Sequence, residues 1–139
     1  MAELQKILDR YTAFSYDELL SAARKSMALA LVHLRKLQAG EENELLSAVI
    51  ATALGADDTL SDEEVAFITD LTSSELTRSR LTNIAAKFGT EKMRHSLDRV
   101  TDSLPKEGKR ALCALTLCIL AADRRITPKE TDFLLRLMR

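Results

Sequence analysis

Residues 48–71 and 114–137 align without a gap at an offset of 66, and each reads as an apolar helix, a short loop and a capped second helix. The first copy is AVIATALGADDTLSDEEVAFITDL and the second is ALTLCILAADRRITPKETDFLLRL. Seven pairs are identical: Ala48/Ala114, Leu54/Leu120, Ala56/Ala122, Asp57/Asp123, Glu64/Glu130, Phe67/Phe133 and Leu71/Leu137. In each copy the apolar helix ends at Ala-Asp, and Leu60 or Ile126 anchors the loop. Ser61 or Thr127 then caps the next helix, with Glu64 or Glu130 at the third position to complete a capping box. Pro128 falls at the first helical position, where its missing N–H costs nothing. Phe67 and Phe133, three residues past the Glu, are expected to face the core. No convincing match extends beyond this window.

The rest of the chain shows the same 3.6-residue periodicity. Leu4, Ile7, Leu8, Tyr11 and Phe14 form the stripe of a first helix. Ser15 opens a second, with Glu18 as its capping-box partner, running from about Tyr16 to Ala39 before Gly40. A third spans roughly Glu42–Ala56 and a fourth follows Ser61. Leu81, Ile84, Ala85 and Phe88 mark a fifth. Met93, Leu97, Val100 and Leu104 mark a sixth. A seventh covers about Lys106–Ala122, and an eighth follows Thr127-Pro128. No segment alternates with period two, aromatics make up 4% of the chain, and there are only 4 Gly and 2 Pro among 139 residues. These features predict an all-α fold: one compact bundle of seven to eight helices, residues 1–139, with the helix–loop–helix duplication inside it. The second, third and seventh helices are apolar on most faces and are expected at its centre.

Several function classes find little support in these residues. The longest apolar stretches, such as Met27–Val32 and Leu117–Ala122, are far shorter than the ~20 residues of a membrane span. The N-terminus lacks the basic and apolar regions of a secretory signal. Cys113 and Cys118 lie about 140° apart on one helix, which does not suit a disulfide. A reducing, cytoplasmic setting is the expectation. There is no nucleophile elbow, phosphate loop, H-E-x-x-H or C-x-x-C pair, so no enzyme is expected. The basic residues from Arg78 to Arg110 are interspersed with Glu91, Asp98, Asp102 and Glu107, which suits solvated helix faces better than a nucleic-acid surface.

Charge is unevenly placed. Residues 41–75 carry ten acids and no Lys or Arg, whereas residues 1–40 have a net charge of +2 and residues 76–139 a net charge of +7. An acidic block of this kind attracts cations or basic surfaces, unless the basic blocks fold against it. Within it, Asp57 stands at the negative end of a helix dipole, and Asp123 repeats the placement. Either each Asp caps its own turn, or each turns into the loop with the Glu seven residues on and holds a cation. An EF-hand is excluded: Ile68 occupies the place where that loop needs its bidentate Glu. The first loop, with Asp57, Asp58, Asp62, Glu63 and Glu64, is the better cation site. Arg124 and Arg125 of the second could instead reach across and stand in for a metal.

The duplicated A-D-x-x-[LI]-[ST]-x-x-E-x-x-F unit resembles the TerB-like family, which includes tellurite-resistance proteins and the N-terminal domain of DjlA-type co-chaperones. The matching stretches are Ala56–Glu64 and Ala122–Glu130, and the similarity spans Gln38 to the C-terminus. The resemblance implies an all-helical, non-enzymatic domain with acidic residues that bind a divalent metal. It also implies a role in stress or tellurite resistance through protein partners, often near a membrane complex. The metal candidates carried over are Asp57, Glu64, Asp123 and Glu130. Where the family carries Gly, this chain has Asp58, a further candidate ligand, and Arg124, which would repel a cation. The competing expectation is a metal-independent adaptor that docks a basic partner through the acidic block 41–75.

Overall fold

The computed structural model describes residues 2–37, 40–53, 61–73, 76–88 and 91–123, together with 131–132 and 134–135. Seven α-helices are present among the described residues: α1 (Ala2–Thr12), α2 (Tyr16–Leu37), α3 (Glu42–Ala53), α4 (Asp62–Leu71), α5 (Arg78–Phe88), α6 (Glu91–Ser103) and α7 (Lys106–Asp123). The fold is an all-α bundle. The eighth expected helix falls mostly outside the described residues, although 131–132 and 134–135 are helical and Leu134 is buried.

The ends of α2 show how local sequence sets an element. At its start the Ser15 N–H donates to Glu18 Oε1 at 2.9 Å, and the Glu18 N–H donates to Ser15 Oγ at 3.2 Å. This is the predicted capping box, and it satisfies two amides that have no partner within a helix. Asp17 and Glu18 in the first turn and Arg35 and Lys36 in the last complement the helix dipole. The helix is described to Leu37, the expected end at Ala39 lies outside the described residues, and Gly40 has a left-handed φ of 89°.

α7 is the centre of the bundle. Leu112, Leu115, Cys118, Ile119 and Leu120 are all buried along it. Its most extensive packing is with α2, and α1 and α4 lie against it as well. α3 packs on α2 and α5, with α6 closing against both α3 and α5. Gly108 lets α2 and α7 approach closely: a Cβ there would stand 3.1 Å from His33 Cβ and 3.2 Å from His33 Cγ. Phe67, Ile68 and Leu71 of α4 are buried in the shared core, as their spacing predicts.

Two expectations are corrected. Phe14 does not join the buried stripe of α1, because the helix ends at Thr12 and the chain turns with the Phe14 N–H on the Tyr11 carbonyl. Its ring is 38% exposed and meets Tyr11 edge-on at 5.7 Å. Nor is α2 buried all round. Leu19, Leu20, Ala23, Ala30 and Leu34 face the core, but Leu29 and Val32 on the opposite side are 57% and 49% exposed.

Candidate functional site

The start of α4 carries the one predicted metal-ligand candidate whose side chain is described. Ser61 has an extended backbone (φ −75°, ψ 162°), and its Oγ accepts the Glu64 N–H at 3.1 Å. Glu64 Oε1 in turn accepts the Ser61 N–H and hydroxyl, each at 3.2 Å. The capping box read from Ser61 and Glu64 is therefore formed in full. Glu64 is 2% exposed, so the carboxylate sits inside the protein at the edge of the acidic loop. A carboxylate in that position is held by its hydrogen bonds, because burial without them would cost several kcal/mol.

Asp57, Asp58 and Glu130 lie outside the described residues. Asp123 is the last residue of α7, and its side chain also lies outside them, as do Arg124, Arg125, Thr127 and Phe133. Among the described residues no group of three or more His, Cys, Asp or Glu is arranged to hold a metal.

The described acids of the block 41–75 have definite places. Glu42 and Glu44 stand in the first turn of α3, and Asp62, Glu63 and Glu64 in the first turn of α4. There they face the positive end of a helix dipole. Basic residues from both flanking blocks fold against them: Arg35 meets Glu42 at 3.3 Å, Lys87 meets Glu44 at 3.3 Å and Arg78 meets Asp62 at 2.6 Å. Glu42 Oε2 also accepts the Gly40 N–H. Its own backbone N–H, then that of Gly40 and the Arg35 guanidinium, hold its carboxyl below the usual carboxylate range. Asp70 accepts the Tyr16 hydroxyl. Glu41 and Glu63 remain exposed. Much of the block's charge thus meets dipoles and cations of the chain itself, each exposed pair contributing about 0–1 kcal/mol.

The structure adds a feature that the spacing of charged residues did not signal. Along the outward side of α3 run two adjoining clefts of about 390 Å³ and 260 Å³. Both are lined by Asn43, Ser47 and Leu76, so they form one trough. One end is walled by Met27 and Leu31 of α2, and the other by Ile84 and Lys87 of α5. Ser47, between Leu46 and Ala48 on α3, lines both clefts and places a short side chain between the walls from α2 and α5. Asn43 and Ser47, four residues apart on one face of α3, were the only trace of it in the sequence. Ser73, in a left-handed conformation (φ 52°) just past α4, forms part of its rim.

Compared with models of protein families, with curated proteins and with solved structures, the chain matches none.

Proposed function

We propose that the chain is a non-enzymatic, TerB-like helical module that acts by holding protein partners, in the cytoplasm and in a stress- or tellurite-resistance setting. The observation that carries the partner half of this reading is the trough along α3. Its floor of Leu46, Ile50, Leu71 and Leu76 is apolar, and Asn43, Ser47 and Thr72 offer hydrogen bonds at its edge. That combination suits the apolar face of a peptide or helix from another protein. No helix among the described residues is long and apolar enough to cross a membrane, so a membrane-associated complex would be reached through such a partner. Filling the trough with Ser47→Trp should remove the complexes that the wild-type chain forms in its own cells and reduce resistance to tellurite. Undiminished complexes and resistance in a folded Ser47→Trp variant would contradict the reading.

A divalent cation at the loop before α4 is the second reading, favoured by the burial of the Glu64 carboxylate at the loop's edge. Asp57 and Asp58 would join Glu64 there, with Asp123 and Glu130 as the corresponding pair in the second loop. A chelator-treated sample is unfolded by heat with and without Ca²⁺, Mg²⁺, Mn²⁺ or Zn²⁺. A cation at ~100 times its Kd adds about 2.7 kcal/mol, and that gain should vanish in Asp57→Ala. No shift with any of the four would remove the cation from the account. The adaptor that docks a basic partner through block 41–75 would have to rely on Glu41, Glu63 and the loop, since the other described acids are engaged within the chain.

A further inference from the structure

We propose that the outward face of α2, from Arg24 to Lys36, is a docking site for an acidic amphipathic helix of a partner protein. The proposal rests on the reading of the chain as an interaction module, and it names a second surface and its partner's chemistry.

Lys25, Leu29, Val32 and Lys36 fall at i, i+4, i+7 and i+11, which places them in one row along the helix. Arg24, Ala28 and Arg35 lie beside that row. All seven are exposed, and Leu29 is 57% and Val32 49% accessible to solvent. The row thus has two large apolar side chains in the middle and an Arg or Lys pair at each end. Large aliphatic side chains at such exposure, side by side on a helix that is otherwise well packed, mark a surface suited to burial by something else.

Charge selects the occupant. No acid lies on α2 between Arg24 and Leu37. The acids nearest in sequence are Glu18, engaged in the Ser15 capping box, Glu42, paired with Arg35, and the exposed Glu41. Arg24, Lys25 and Lys36 have no acidic partner among the described residues. A second copy laid face to face would set cations against cations, so self-pairing through this face is disfavoured. Geometry then separates a helix from a lipid surface. The cation pairs are eleven residues apart, about 17 Å along the axis, with the apolar pair in a single line between them. A three-turn helix with a Leu-type stripe and acids at both ends reproduces that line, whereas an anionic bilayer would favour cations spread over a plane.

The test selects binders from a displayed library of helical peptides, using the full chain as target, and measures the enriched peptides by fluorescence anisotropy. Vesicles of phosphatidylcholine containing phosphatidylserine are the parallel probe. The expected result is enrichment of peptides with Asp or Glu flanking an i, i+3/i+4 apolar stripe. Their affinity should fall by about tenfold or more in Leu29→Ser/Val32→Ser and in Lys25→Glu/Lys36→Glu, and it should weaken with added salt. Both variants change exposed positions, and an unaltered unfolding midpoint confirms that each is folded. Peptides that bind wild type and both variants alike would overturn the α2 proposal while leaving the interaction reading intact. Failure to enrich any peptide would count against both. Vesicle binding that the variants abolish, without acidic peptides, would overturn the proposal in favour of a lipid surface.

Discussion

Tyr16, in the first turn of α2, donates its phenolic hydroxyl to Asp70 Oδ2 in the last turn of α4, 54 residues away, at 2.5 Å. The same ring meets Phe67 edge-on at 5.6 Å. One side chain therefore ties the entry of α2 to the end of α4 and covers Phe67, the largest fully buried side chain among the described residues. Desolvation first, and then the bond to the Asp70 carboxylate, push the Tyr16 hydroxyl up to about 12. Tyr11 is also raised, chiefly by burial. Absorbance titration should thus show neither tyrosine ionising at its ordinary value of 10.0 while the protein is folded. Tyr16→Phe should destabilise by about 0.5–1.5 kcal/mol, the range for a hydrogen bond that water can reach, as read by chemical denaturation.

The two capping boxes should be separately measurable. Ser15→Ala and Ser61→Ala are each expected to lower stability by about 1 kcal/mol. They lie on different helices, so the double variant should show nearly the sum.

Acid should weaken the fold through the carboxylates that cap it. Glu18 is lowered by the Ser15 backbone and side-chain hydrogen bonds, and Glu42 by its own backbone N–H, then Gly40 and Arg35. A group lowered in the folded state contributes stability above its unfolded value, here 4.5, and loses it as pH falls through the folded value. The unfolding midpoint should therefore drop as pH is taken below about 4.5, and less steeply in Glu18→Gln.

The close approach of α2 and α7 at Gly108 makes a graded prediction. Gly108→Ala gains up to about 1 kcal/mol of helix propensity but brings a methyl to 3.1 Å from His33 Cβ, so its net effect should be small. Gly108→Val adds bulk that helix α2 cannot yield to, and should cost about 1–3 kcal/mol.

Thiol chemistry checks the placement of α7. Cys118 is wholly buried and its thiol is pushed up to about 12 by burial, while the half-buried Cys113 is raised for the same reason. Both should resist alkylation in the folded protein at neutral pH, with Cys113 reacting first, and both should label rapidly once denatured. Because the Cys118 value is raised on folding, its contribution is intact below 9.0 and declines as pH rises toward 12.

Helices and caps were legible in the sequence because their signals are local. Ser15 with Glu18 and Ser61 with Glu64 each state a boundary within four residues, and both boxes form as read. The burial of Phe67, Leu81, Leu97 and Leu104 likewise follows from spacing alone. What spacing could not show is which side of a helix another element would cover. α2 carries enough apolar residues to suggest burial all round, yet Leu29 and Val32 face solvent because α7 and α3 pack elsewhere on it. The fate of the acidic block was equally non-local. Its partners Arg35 of α2 and Arg78 and Lys87 of α5 come from two other helices, and only the fold brings them to Glu42, Asp62 and Glu44. The trough was hidden for a related reason: Ser47 reads as a polar interruption in a helix until α2 and α5 stand on either side of it.

The bundle is proposed to act by gripping a protein along α3. The most direct measurement places the photo-crosslinking residue benzoylphenylalanine at Asn43, an exposed position common to both parts of the trough, and irradiates the chain in its own cells. The expected result is a discrete protein adduct from position 43 that disappears when Ser47→Trp fills the trough and persists when an exposed residue of α6, such as Arg99, is changed instead. No adduct at position 43, or one indifferent to Ser47→Trp, would contradict it.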